Sequence, residues 1–285
     1  MLDYKELNDI DLKLHLQSGS DIKLGNLVIK PYTLEEIKTF GYTNYMSNLQ
    51  LISISMDDFI SSVVDMEKRN MLEEQRTNLR IFDFYVNLGG MELLDKLLQS
   101  LSMIFRTDDI RMLDESTVAI DFVNKGIVNF DEDGTPFINQ DKLEELSEDE
   151  ITIVHRDNFD DIVEIIKLQN YLSKNKSEKK EEKYADEETR KLMEDMERHR
   201  KRVEEKKKAQ AKAEGNDDEV DISDIISAVS SKSNSVNKVT IWKYTLYQLY
   251  DDYSRLELID NYNFSIKAIM AGAEKVDLRH WSSRL

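Results

Sequence analysis

Residues 91–105 read MELLDKLLQSLSMIF, and Leu93, Leu94, Leu97, Leu98, Leu101, Ile104 and Phe105 recur at three- and four-residue steps. That spacing lays one apolar stripe along a helix, so the segment predicts a buried helix. Just before it, a helical pattern runs from about Met71 to Val86 and stops near Leu88-Gly89-Gly90, where paired glycines end helices. Further towards the amino terminus, Asp57-Asp58 open a stretch whose apolar face is Phe59, Ile60, Val63, Val64 and Met66. Earlier still, Thr33 reads as an N-cap with Glu35 and Glu36 in the first turn, followed by Leu34, Ile37, Gly41, Tyr45 and Leu49 at near-helical spacing. On the carboxyl side the helical pattern resumes over Asn158–Leu172, with Phe159, Ile162, Val163, Ile165, Ile166 and Leu168 on one face.

Two interruptions read as hairpins. Asp21–Leu24 and Leu27–Lys30 flank Gly25-Asn26, a two-residue turn signal. Ile127–Phe130 and Phe137-Ile138 bracket Asp131-Glu132-Asp133-Gly134, with Val118, Ile120 and Phe122 alternating before them. Arg111–Leu113 reads as a short turn, and the stretch after the second hairpin as a polar segment. The expectation is therefore a mainly α domain, 1–173, with one or two short β-hairpins.

Composition fits that reading. The 285 residues hold only 2 Pro and 9 Gly, and 34% are charged, which suits helices better than a sandwich or barrel. The net charge is −18 and uneven: residues 1–173 carry 16 basic and 34 acidic side chains, 174–214 carry 15 and 12, and 215–285 carry 8 and 11. So acidic a body repels phosphate backbones, and nucleic acid is not an expected partner. The charge also serves solubility alone. Cysteine is absent, which removes disulfides, thiolate metal sites and cysteine nucleophiles. The start, MLDYKELNDIDLKLHL, lacks a basic region followed by an apolar run, and no stretch approaches a membrane-span length, so neither a signal peptide nor a membrane partner is expected.

Beyond residue 173 the composition changes. Residues 174–214 contain neither Pro nor Gly and carry four acidic-to-basic pairs four residues apart, Glu187–Lys191, Glu194–Arg198, Glu197–Lys201 and Glu204–Lys208. A short amphipathic piece, Val220–Val229, precedes the Ser/Asn/Lys-rich run 230–238. Together 174–238 read as a charged helical and Ser/Asn-rich linker. In 239–285, Trp242, Leu246, Leu249, Tyr250, Tyr253 and Leu256 form one stripe, and Ile259, Tyr262, Ile266, Ile269, Met270 and Ala273 form another. Two facing helices, a helical hairpin, would explain both.

Chemistry is sparse. His15, His155, His199 and His280 stand apart from any ligand set, and neither a phosphate-cradling glycine loop nor a nucleophile elbow is present. Asn129–Gly134 imitates the start of a calcium loop, but Gln140 stands where the bidentate Glu belongs. The acidic pairs Asp57-Asp58, Asp108-Asp109 and Asp217-Asp218 fit helix starts and loops. No catalytic, cofactor or metal residue is assigned, and an enzyme is not expected. Trp242, Tyr244, Tyr247, Tyr250 and Tyr253 crowd twelve residues. Two readings stand: all are core, or some are exposed as interface anchors.

Two runs, LGNLVIKPYTLEEIKTFGYTNYMSNLQLISIS (24–55) and LYDDYSRLELIDNYNFSIKAIMAGAEKVDLRHWSSRL (249–285), resemble the tail assembly chaperones of long-tailed phages of Gram-positive bacteria. The ending carries most of the likeness, with Ala271-Gly272-Ala273 and then His280-Trp281. The resemblance implies a protein of the host bacterial cytoplasm whose first domain coats the tape measure protein. Its tethered 239–285 unit would recruit tail tube subunits, with a second copy of the chain a further option. The candidate partner-binding residues are Trp242, Tyr247, Tyr250, Tyr253, His280 and Trp281. The rival readings are an acidic helical capsid scaffolding protein, against which the net acidic last 71 residues count, and a calcium-responsive or host regulatory adaptor.

Overall fold

The computed structural model describes residues 2–56, 59–60, 66–76, 80–88, 90–131, 133–147, 150–172, 220–273, 276 and 278–284. A 3-10 turn, Tyr4–Glu6, leads into α1 (Asp9–Ser18). Asn8 caps α1, its Oδ1 accepting from the amides of Ile10 and Asp11. Strands β1 (Ile22–Leu24) and β2 (Leu27–Ile29) pair antiparallel about Gly25-Asn26, as the turn signal predicts. Alternation sends Ile22, Leu24, Leu27 and Ile29 into the core and leaves Val28 exposed.

Helices α2 (Leu34–Phe40) and α3 (Tyr42–Ile52) occupy the span whose spacing predicts one helix. Gly41 divides them at a φ of 93°, a value that glycine adopts without the Cβ penalty. Next come α4 (Met66–Gln75), α5 (Ile81–Asp83) continuing into a π-helical turn, Phe84–Leu88, and α6 (Gly90–Phe105). The pattern read from Met71 to Val86 is thus two helical pieces. Asp57-Asp58 and Gly89 lie outside the described residues. The stripe of residues 91–105 does face inward, with Leu97, Leu101 and Ile104 buried.

The expectation of a mainly α fold with one or two hairpins needs correcting. The described residues form seven strands in three sheets. Besides the expected hairpins, β1–β2 and β5 (Val128–Phe130) with β6 (Pro136–Ile138), there is a three-stranded antiparallel sheet in the order β3 (Ile110–Asp114), β4 (Thr117–Ile120), β7 (Ile153–His155). Helix α7 (Gln140–Glu145) lies between β6 and β7 in sequence, and α8 (Arg156–Gln169) follows β7 directly. Strand β4 shows in the sequence only as the alternation of Val118, Ile120 and Phe122, and its two partners do not show at all. In β3 only Ile110 is buried, so no alternation registers. In β4, Val118 and Ile120 face the main core while Ala119 faces a second cluster with Phe122 and Ile127, so both faces are apolar. Strand β7 is three residues long and abuts a helix.

The carboxyl-terminal elements need a second correction. Helix α9 (Ile222–Lys232) covers the amphipathic piece, and a 3-10 turn, Ile241–Lys243, follows. The expected helical hairpin is instead one helix of 25 residues, α10 (Leu246–Met270). Only Glu257-Leu258 separate the two stripes, and neither residue can break a helix. Thr245 and Gln248 close a capping box at its start: Thr245 Oγ1 accepts from the Gln248 amide, and Gln248 Oε1 from the Thr245 amide.

One apolar cluster joins the two ends of the chain. It contains Leu16, Ile37, Leu97 and Phe159 together with Ile225, Val229, Ile241, Leu246 and Leu249. Polar contacts seal the same seam: the Leu34 amide donates to the Tyr244 carbonyl (2.7 Å), and Gln248 Nε2 donates to the Gln17 carbonyl (2.8 Å). Gly19 ends α1 at this seam with φ 66°; a Cβ there would sit 3.2 Å from Gln248 Nε2 and 3.3 Å from Thr245 Cγ2. The charged part of the linker, 174–214, falls outside the described residues.

Candidate partner-binding end

The six candidate residues separate into two groups. Trp242, Tyr247, Tyr250 and Tyr253 are partly buried against the main core, as is Tyr244. The capping box sets the start of α10, and Trp242 precedes it in the 3-10 turn. Its Nε1 donates to the Lys238 carbonyl at 3.0 Å, and Lys38 Nζ lies 4.7 Å from its ring centroid. Tyr250 stacks on Tyr171, with ring centroids 5.4 Å apart and planes at 15°, and Tyr247 meets Tyr171 edge-on at 5.7 Å. Tyr244 donates its hydroxyl to Asp252 Oδ2 at 3.1 Å. Burial pushes the Tyr247 hydroxyl up to about 12, with Asp251 adding to the effect, and burial together with Asp252 does the same for Tyr244. Burial also raises Asp252 above the usual carboxylate range, partly opposed by the Tyr244 hydrogen bond.

His280 and Trp281 belong elsewhere. After Met270 the helix closes with the Gly272 amide donating to the Ile269 carbonyl and the Ala273 amide to the Ala268 carbonyl, both at 3.0 Å. The chain then returns along α10. Arg255 Nη1 donates to the carbonyls of Trp281 (2.8 Å) and Ser283 (2.9 Å). At 1.5 Å per residue, Arg255 lies roughly 22 Å back from the end of α10, so the tail retraces most of the helix's distal half. His280 packs edge-on to Tyr262 and beside Trp281, each with centroids 5.4 Å apart, and its Nδ1 accepts from the Ser282 amide.

Around this returning tail the apolar side chains face outward. Phe264 is 74% exposed, Met270 83% and Trp281 48%, with Ile269 and Leu278 also exposed. Ile269 and Met270 lie at the far end of the second stripe, and the other described residues leave them exposed. Sequence reading assigned no binding role to Phe264, Met270 or Leu278. Phe264 stands at neither stripe position, and that was the available signal.

Among the described residues, no group of three or more His, Asp or Glu side chains is placed to hold a metal ion. His155 caps α8, its Nδ1 accepting from the Asp157 amide at 3.2 Å. His199, Asp217 and Asp218 lie outside the described residues. The calcium-like run is a hairpin turn: Asp131 Oδ1 accepts from the amides of Asp133 (3.0 Å) and Thr135 (2.7 Å), with Gly134 at φ 79°. Asp109 is buried and accepts from the amides of Val123 and Asn124, while Arg111 lies 3.3 Å away. A cleft of about 410 Å³ beside the β1–β2 turn has its charged lining already engaged, Lys5 with Asp161 and Asp3 with the Gly25 amide.

No described helix is long and apolar enough to cross a membrane. No curated protein and no solved structure matches the chain. Residues 206–285, the stretch that holds α9, α10 and the returning tail, match the family described as YomV second domain, a phage-associated family of the Bacillus phage SPbeta type.

Proposed function

We propose that the chain is a phage tail assembly chaperone, a binding protein rather than an enzyme, whose body holds the tape measure protein and whose carboxyl-terminal end recruits tail tube subunits. The observation that carries this reading is the exposed apolar end of α10, with Phe264, Met270 and Trp281, lying within the stretch that matches a phage-associated family. Apolar side chains left open beside a polar rim mark protein-binding surfaces. The net charge of −18 suits a chaperone that must keep a long, apolar, helical client dispersed. In this reading His280 and Trp281 act directly, while Trp242, Tyr247, Tyr250 and Tyr253 act by seating α10 on the core.

Co-expression of the full chain with the tape measure protein and the tail tube protein of the same phage tests the proposal. The expected result is a soluble tape measure protein that co-purifies with the chain. Replacing Phe264 with Ser and Trp281 with Ala together should remove the tube protein from that complex and leave the tape measure protein bound. A tape measure protein that stays insoluble, or binds no better than to an unrelated acidic protein, overturns the reading.

A further inference from the structure

A second exposed apolar patch lies far from α10 in sequence, on the β5–β6 hairpin. Phe130 (44%), Phe137 (49%) and Ile138 (49%) are all open to solvent, and neither strand buries a residue. Along the sequence, residues 129–150 carry nine acidic side chains and one basic one, a net of −8. The distal end of α10 together with the tail returning along it has the opposite sign. Phe264, Met270 and Leu278 are exposed there, within residues 261–284 of net charge +2. The hairpin already shows how a cation suits it, since the guanidinium of Arg111 sits 5.0 Å from the Phe130 ring centroid.

We infer that these two patches recognise each other between copies, the acidic hairpin of one molecule docking on the basic distal end of α10 in the next. Among the described residues both patches are exposed, and they do not cover one another. Opposite net charges steer the encounter, and apolar side chains give the contact its affinity. Because the two surfaces differ, the contact is heterologous. Such a contact repeats head to tail and does not stop at a symmetric pair. The hairpin would compete with a tube subunit for the distal end of α10, so self-association is measured on the chain alone and stands or falls apart from the tail-assembly reading; a head-to-tail array would suit a protein that lines a long rod.

Sedimentation velocity on the full chain tests this at rising protein concentration. At low ionic strength the sedimentation coefficient should climb with concentration and not level off at a dimer. In about 0.5 M salt, where the Debye length falls to roughly 4 Å, the climb should become shallower, because the charge attraction is screened while the apolar contact remains. Two variants identify the surfaces, Phe137→Ser with Ile138→Ser on the hairpin and Phe264→Ser with Met270→Ser on α10. All four side chains are exposed, so far-UV circular dichroism should match the parent in both. Each variant alone should remain monomeric, while their equimolar mixture should form a capped one-to-one complex, because each retains the surface the other lacks. A parent that is monomeric throughout, self-association that both variants retain, or a mixture that yields no complex overturns the inference. Association indifferent to salt overturns its electrostatic basis.

Discussion

Glu36 ties three elements together. Its carboxylate accepts from the Thr33 amide at 2.8 Å, closing the capping box of α2, and from Nη1 of Arg106, just past the end of α6, at 2.7 Å. The same guanidinium donates to the Pro31 carbonyl at 3.0 Å and stacks 4.4 Å from the Tyr32 ring centroid. Partial burial pushes the Glu36 pKa up, but the Thr33 hydrogen bonds and Arg106 outweigh it, so it ends below the ordinary glutamate value. A carboxylate with a depressed folded-state value stabilises the fold above its unfolded value, and that stabilisation is lost as pH falls through the folded value. Glu36→Gln should therefore destabilise the protein at neutral pH and be nearly neutral in acid. The side chain is 39% exposed, so solvent screening holds the expected neutral-pH loss to about 1 kcal/mol. Urea midpoints of parent and variant at neutral pH and at about pH 3 measure the difference. An equal gap at both values would show that the carboxylate's charge is not what matters.

Helix α10 does different work along its length, and the two aromatic groups allow a test of the division. Tyr250 lies between Tyr171 and the core, whereas Trp281 sits on an open surface. Tyr250→Ala should cost about 2–3 kcal/mol of global stability, as partly buried aromatics do, whereas Trp281→Ala should change it by less than about 0.5 kcal/mol. Chemical denaturation of the full chain distinguishes them; comparable losses would mean that the tail packs as core. Sequence alone revealed the aromatics of α10 but not this division. Both hairpin turns, the Thr33 cap and the buried face of residues 91–105 could be read because each depends on residues within one turn or one helical face. Of the sheet β3–β4–β7 only the alternation of Val118, Ile120 and Phe122 could be read, because the edges of β4 are paired by β3 and by β7, the latter up to 38 residues away. The hairpin expected in 239–285 failed for the converse reason. Two stripes on one continuous helix look like two helices until it is known what covers each half.

At the scale of the whole molecule, the charge and the core suggest different organisations. Charge divides the sequence into an acidic body, a mixed Lys/Glu tract and a carboxyl-terminal part, which suggests independent modules on a tether. The apolar cluster instead runs from Leu16 through Phe159 to Leu249 and places α9 and the first half of α10 in the same core as α1, α2 and α8. The hydrogen bonds from Leu34 to Tyr244 and from Gln248 to Gln17 cross the same boundary. A chain organised this way should survive a cut that a tethered pair of modules would not. If a protease site is placed within residues 174–214 and the folded protein is cleaved there, the two fragments should stay associated. They should elute together on size exclusion and keep the parent's far-UV circular dichroism, because the shared core no longer needs the covalent connection to hold it. In urea they should separate at a lower midpoint than the intact chain, and the midpoint should fall on dilution, since cleavage turns a unimolecular equilibrium into a bimolecular one. Fragments that part without denaturant would show that the tether, not the core, holds α10 in place.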